Sequence, residues 1–206
     1  MDQALQLFWT KGYEGTTLLD LVDTIGILKP SLYSAFGSKE ELFLKVLDLY
    51  QNRLRAAVSH AFTLPSGRSS LEDYLRELAK FQSAAGTPHG CLLVQGALVG
   101  SEDSKQVTKA LRNSRTYGAG IIRSLLERAL RQRELPGGTD IDALALYFNA
   151  VSHGISVQAV SGVAPKDLQN SITIAMRSWP QTRGSKRLPA PKRRATTAKK
   201  AVRPGK

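Results

Sequence analysis

Thr16 to Leu42 reads TTLLDLVDTIGILKPSLYSAFGSKEEL, and this stretch carries the start and stop signals of two short helices and the start of a third. Thr17 suits a helix N-cap, because its oxygen can accept the orphan backbone N–H groups there, and Asp20 three positions on favours the positive helix end. Leu18, Leu21, Val22 and Ile25 follow at helical spacing and give one apolar face. Gly26 then permits a left-handed backbone and a sharp turn. Pro30 lies in the first turn of the next helix, where its missing N–H is harmless. Leu32 and Phe36 are four apart and point inward, so Lys29, Ser31, Tyr33 and Ser34 are expected on or near the outward face. Gly37 ends that helix, Ser38 caps the next, and Glu41 completes a capping box. Two short helices around a tight turn form a helix-turn-helix, whose second helix reads the major groove of DNA. The alternative on pattern alone is an ordinary helical hairpin in an all-α core.

The residues themselves add to the pattern. ALQLFWTKGYEGTT from Ala4, followed by TIGILKPSLYSAFGSKEELF from Thr24, resembles the DNA-binding domain of the tetracycline-repressor (TetR) family. The glycine-aromatic end of helix one, the Leu-Tyr-x-x-Phe helix and the Ser-Lys-Glu after it carry the likeness, which is strong over residues 3 to 50 and general beyond. The resemblance implies a dimeric transcription regulator, most often a repressor, released from a near-palindromic operator when a small molecule binds the C-terminal domain. It implies that Thr17 caps helix two and touches phosphate. Lys29, Pro30, Ser31 and Ser34 then occupy the exposed part of the recognition helix. Tyr33 and Lys39 match a tyrosine and a lysine that meet the DNA backbone. The competing roles are a packed core aromatic for Tyr33 and a solvated lysine for Lys39.

Two departures stand out. Leu28 sits where the family usually has Ser, Thr or Asn as N-cap, a loss of about 1 kcal/mol of local helix stability. Leu28 either packs against a neighbour or touches a thymine methyl. The chain also begins inside helix one, at Met1-Asp2-Gln3-Ala4, without the usual preceding arm. Either the true start lies upstream or the arm is absent.

The formal charge of +12 is unevenly distributed. Ten of the 29 Lys and Arg lie in Gln181–Lys206, which has no acidic residue, leaving 19 basic against 17 acidic residues before it. Residues 1 to 50 hold four basic and seven acidic residues, so the helix-turn-helix is not basic on average. DNA affinity therefore has to come from a few placed groups, from helix N-termini or from the tail. The tail, with almost nothing apolar to bury, is expected to be disordered. It is either a phosphate-binding arm or a solubilising extension; charge alone would also admit an anionic membrane surface, but no membrane partner is expected.

The rest of the chain reads as all-α. A long helix is expected from Ser38 to Phe62, broken by Pro65-Ser66-Gly67, then one marked by Leu71, Tyr74, Leu75, Leu78 and Phe81. Another begins over Cys91–Val99, and Ser104 caps a long one through Leu125. Ile141–Ser161 and a helix from Pro165 to Trp179 close the fold. Ala150, Ser152, Gly154 and Ser156 would let another helix approach closely, and the resemblance implies that these last two helices pair with a second subunit. The expected organisation is a three-helix helix-turn-helix DNA-binding domain over 1–48, a helical ligand-binding and dimerisation domain over 49–180, and the tail over 181–206.

Cys91 lies in a His-Gly-Cys-Leu-Leu-Val stretch resembling one branch of the family. It is either a sensor of electrophiles or a small buried apolar residue. Phe81, Gln95 and Tyr117 are further candidates for lining a ligand pocket, or else ordinary packing. No nucleophile elbow, phosphate loop or paired-carboxylate arrangement is present, and His60, His89 and His153 lack metal spacing. No enzyme activity, metal or cofactor is expected. A single cysteine, no run long enough to span a membrane and no secretory signal fit the cytoplasm. The competing class is a nucleoid-type protein acting mainly through its basic tail.

Overall fold

The computed structural model describes residues 1–96 and 104–182. The basic tail from 183 onward and the last three residues of the expected Cys91–Val99 helix lie outside the described residues. The described residues form α1 (Asp2–Lys11), α2 (Leu18–Ile25), α3 (Lys29–Phe36), α4 (Lys39–Ala57), α5 (Gly67–Gln82), α6 (Leu92–Gln95), α7 (Lys105–Arg131), α8 (Ile141–Val160) and α9 (Pro165–Ala175). Short 3-10 turns follow α4 at Ser59–Phe62 and α9 at Met176–Ser178.

Helix boundaries follow from local chemistry. Thr17 Oγ1 accepts the Asp20 N–H at 3.0 Å while the Asp20 carboxylate accepts the Thr17 N–H at 2.8 Å, a reciprocal capping box. Gly26 closes α2 at φ 74°, ψ 32°, a conformation costly for any residue with a Cβ. Ser38 and Glu41 form the second capping box, both bonds at 3.1 Å, and start α4. Leu28 holds the N-cap position of α3 without a side-chain bond and is 74% exposed, so it does not pack against a neighbour.

The expected Ser38–Phe62 helix is shorter than its apolar stripe. It stops at Ala57, and Val58 departs from helical backbone at φ −94°, ψ 5°. Ser59 Oγ donates to the Ala56 carbonyl and Thr63 Oγ1 to that of His60, both at 2.8 Å, so side chains compete for the backbone acceptors. The final helix likewise ends at Ala175, before Trp179, whose indole N–H donates to the Glu134 carbonyl at 3.2 Å.

Two apolar clusters hold the chain together. One joins α5, most of α7, α8 and α9 around Leu75, Leu126, Phe148, Ile172 and Trp179. The other contains Leu5, Phe8, Trp9, Leu21, Leu32, Phe43 and Tyr50, and continues into Cys91–Val94, Val107 and Leu111. The core of the helix-turn-helix therefore runs past residue 48 into α6 and the start of α7. Trp9 marks the junction, edge-on to Tyr50 at 4.8 Å and stacked on Phe81 at 5.5 Å.

On α8, Ser152 and Ser156 are buried inward, whereas Ala150 and Gly154 lie exposed. They share the outer surface with Leu146, Tyr147, Val157 and Val160, and Ile174 of α9 is exposed as well. Leu146 is 70% exposed, an apolar surface of the kind that marks an interface.

Candidate functional site

Helix α3 buries Leu32 and half-buries Phe36, the spacing that fixes its inner face. Lys29, Pro30, Ser31, Tyr33 and Ser34 are all exposed together. Tyr33 is 42% exposed, which removes the packed-core role for it. The Lys29 ammonium lies 6.0 Å from the centre of the Tyr33 ring, so a cation and a phenol hydroxyl share the outer surface. Lys45 of α4 is also exposed, 5.7 Å over the Phe36 ring at the end of α3. The sequence reading missed Lys45; its signal was a polar residue beside the Leu42–Val46 face of the capped helix.

Thr17 and Lys39 are more constrained than the resemblance implies. The Thr17 hydroxyl accepts from Asp20 N–H and donates to the Asp20 carboxylate at 2.8 Å, so its one proton is engaged within the cap. A phosphate contact by this hydroxyl requires that bond to be exchanged. Lys11 donates to the same carboxylate at 2.7 Å. These bonds, Lys11 first and then Thr17, hold the Asp20 carboxyl down to about 2. Lys39, the first residue of α4, is half-buried with its ammonium 4.2 Å over the Tyr13 ring, rather than freely solvated. Burial lowers its pKa, and Glu14 and Asp20 oppose that shift.

A second feature lies between α4, α5, α6, α7 and α8: an internal cavity of about 50 Å³. Leu54, Tyr74, Leu78 and Ile122 supply apolar wall, and Gln82, Cys91, Arg115, Asn149, Ser152 and His153 supply polar atoms. Gln82 Oε1 is buried with no hydrogen-bond partner among the described residues, which leaves an acceptor to be matched. Burial, with Arg115 second, pushes the His153 imidazole towards its neutral form. Burial raises the Cys91 thiol, although the Tyr50 hydroxyl donates to its sulfur at 3.2 Å and opposes the shift. Burial also pushes Tyr74 up to about 12. Among the described residues no Asp or Glu lines the cavity.

Of the four residues expected at a ligand pocket, Cys91 alone lines this cavity. Phe81 stacks on Trp9 at the domain junction. The Gln95 amide lies over Gly90, where an added Cβ would come within 2.2 Å of its nitrogen. Tyr117 is 60% exposed and borders a groove on the outer side of α7. His153, which the sequence offered no metal-spaced partner, is part of the cavity wall. Gln82, Arg115, Asn149 and His153 were missed as liners; each is a polar residue set into an otherwise apolar helix face.

Helix α6 connects the two features. The Trp9 indole N–H donates to the Gly90 carbonyl and the Tyr13 backbone N–H to the Gly96 carbonyl, each at 3.1 Å. Arg115 holds the Leu93 carbonyl at 2.6 Å. Thus α1 and the turn that follows it grip both flanks of the segment that forms one wall of the cavity.

The model of bacterial regulatory proteins of the tetR family matches residues 1–46. The transcriptional repressor ComR of Escherichia coli K12 is 32% identical over 185 residues, covering 88% of this chain and 87% of ComR. A solved structure of the TetR-family regulator CifR, a cysteine mutant complexed with 26-base-pair operator DNA, is 35% identical with a TM-score of 0.82. That likeness covers 87% of this chain and 94% of the CifR chain. A putative TetR regulator from Rhodococcus sp. RHA1 is also 35% identical, with a TM-score of 0.61 over 88% and 97% of the two chains.

The chain belongs to the TetR family.

This TetR-family member is a DNA-binding, ligand-responsive transcriptional regulator, dimeric as the family is. The nucleoid-type alternative has no support from relatives named as transcriptional repressors. The family is one of regulators rather than enzymes. Among the described residues no helix is long and apolar enough to cross a membrane, and no three potential ligand side chains gather to hold a metal ion.

Proposed function

We propose that this protein is a cytoplasmic, non-catalytic repressor that leaves its operator when a small molecule enters the cavity beside Gln82 and Cys91, whose volume of about 50 Å³ has to widen to hold it. ComR is named a repressor, which favours this sign of regulation here, and CifR on operator DNA favours the DNA partner. The DNA-binding part is assigned to 1–48, the sensing and pairing part to 49–180 and the basic tail to 181–206. Lys29, Pro30, Ser31 and Ser34 face base edges, Tyr33 and Lys39 face phosphates with Lys45 added to them, and Thr17 fixes the start of α2. The observation that carries the assignment is the outer surface of α3, where one cation, one phenol and two serine hydroxyls lie exposed on one helix. The exposed apolar surface of α8 supports pairing with a second copy, which sets two α3 helices about 34–36 Å apart for successive major grooves.

The route from ligand to DNA runs through α6. A ligand that fits the cavity better when α6 is displaced shifts the population towards that arrangement. Trp9 and Tyr13 hold Gly90 and Gly96, so α1 and its bound helices follow. The test is salt-titrated binding to the protein's own upstream DNA and to scrambled DNA, for the full chain and for a version ending at Pro180. Preference for the upstream DNA is expected in both forms, with a shallower salt slope after truncation. Ser34→Ala should change base preference, whereas Tyr33→Phe should weaken all sequences alike. Equal binding to both DNAs in both forms overturns the proposal.

A further inference from the structure

A groove of about 530 Å³ lies on the outer side of the contact between α4 and α7, lined by Arg55, Val58, Phe62, Tyr117, Gly120 and Ile121 among others. That volume falls within the roughly 300–1,000 Å³ typical of small-molecule sites. Its walls are mostly apolar, and Phe62 and Tyr117 stand exposed at them. Among the described lining residues Arg55 is the one cation, and no carboxylate joins it there. Its guanidinium donates to Asn52 Oδ1 at 2.6 Å, and it has no ion-pair partner among the described residues. Gly120 sits within α7, where glycine costs about 1 kcal/mol relative to alanine. A Cβ at Gly120 would meet nothing within 4 Å, so the missing side chain leaves space in the groove without serving close backbone packing.

The same two helices wall both spaces. Leu54, Gly118 and Ile122 face the internal cavity, while their sequence neighbours Arg55, Tyr117 and Ile121 face the groove. A molecule in the groove therefore contacts α4 near one end, and the other end of that helix carries Lys39 and Lys45.

We propose that this groove is a second ligand site, separate from the internal cavity, that takes an amphipathic anion: an apolar body against Val58, Phe62, Tyr117 and Ile121, with its acidic head on Arg55. Binding stands on the groove alone; any effect on DNA rests on the repressor reading. The probes are decanoate and decyltrimethylammonium, titrated into the full-length protein by calorimetry without DNA. Wild type is expected to bind decanoate saturably and the cation at least roughly tenfold more weakly, the worth of one charge-assisted contact. Arg55→Gln should erase that preference by weakening decanoate roughly tenfold. Gly120→Phe fills the groove from an open helix position and should abolish decanoate binding while its melting temperature stays at or above that of wild type. No saturable decanoate binding by wild type, equal binding of the two probes, or wild-type affinity in Gly120→Phe each overturns the site. Operator binding by the same variants reports on the repressor reading independently.

Discussion

Replacing Trp9 by Phe tests the connection between the DNA-binding helices and the cavity wall. The indole N–H donates to the Gly90 carbonyl at 3.1 Å in a buried setting, and Trp9 itself is almost fully buried. Phe keeps a six-membered ring that can still meet Tyr50 and Phe81, but it removes the donor and part of the ring volume. An orphaned buried acceptor costs about 1–3 kcal/mol. The smaller void adds about 1–2 kcal/mol, because surrounding atoms close in only partly. The expected loss is therefore roughly 2–5 kcal/mol. It is read from guanidinium unfolding at fixed protein concentration, since a dimer's stability depends on concentration. Hydrogen exchange should quicken around Gly90–Gly96 while the interior of α9 keeps its protection. A loss below about 1 kcal/mol, or exchange raised equally everywhere, would refute the claim that this bond fastens α1 to the cavity wall.

Three further outcomes follow from single residues. Leu28→Ser should raise stability by about 1 kcal/mol, because it adds an N-cap at a side chain that packs on nothing; thermal melting checks it. The Asp20 carboxyl, at about 2 against its usual 3.8, should favour the α2 cap fully above pH 3.8 and lose that contribution as pH falls through 2. A carboxyl NMR titration with its midpoint near 4 would contradict the hydrogen bonds from Lys11 and Thr17. Cys91, buried and with a raised pKa, should react with maleimide in the native state far more slowly than in denaturant. Equal rates would mean that the cavity opens freely to solvent.

The helix-turn-helix was legible because its signals are local. Thr17 with Asp20, Gly26, Pro30, Gly37 and Ser38 with Glu41 each act within one turn, so sequence spacing alone determines what they do. The exposed surface of α3 follows from placing Leu32 and Phe36 inward. The cavity was much less legible. Gln82, Arg115, Asn149 and His153 come from α5, α7 and α8, and nothing local marks which polar residue on an apolar face opens onto shared space. Tyr117 failed as a cavity liner because its position on α7 turns it to the opposite side from Gly118. The hydroxyl of Thr17 shows the same limit at short range. Its capping role was readable, but its engagement by Asp20 on both sides depends on rotamers that spacing does not set.

The continuity of the N-terminal core with α6 and the start of α7 bears on how such proteins can be recombined. Domains exchange well where few contacts cross the cut. A cut after residue 48 would part Phe8, Trp9 and Phe43 from Leu92, Val94, Val107 and Leu111, which belong to the same buried cluster. A chimera carrying only these reading helices on a foreign sensor would thus begin with an open wound in its core. A workable graft has to bring the matching α6 and α7 surface with it, so the DNA-reading part of this chain is inherited as a pair of distant segments rather than as one.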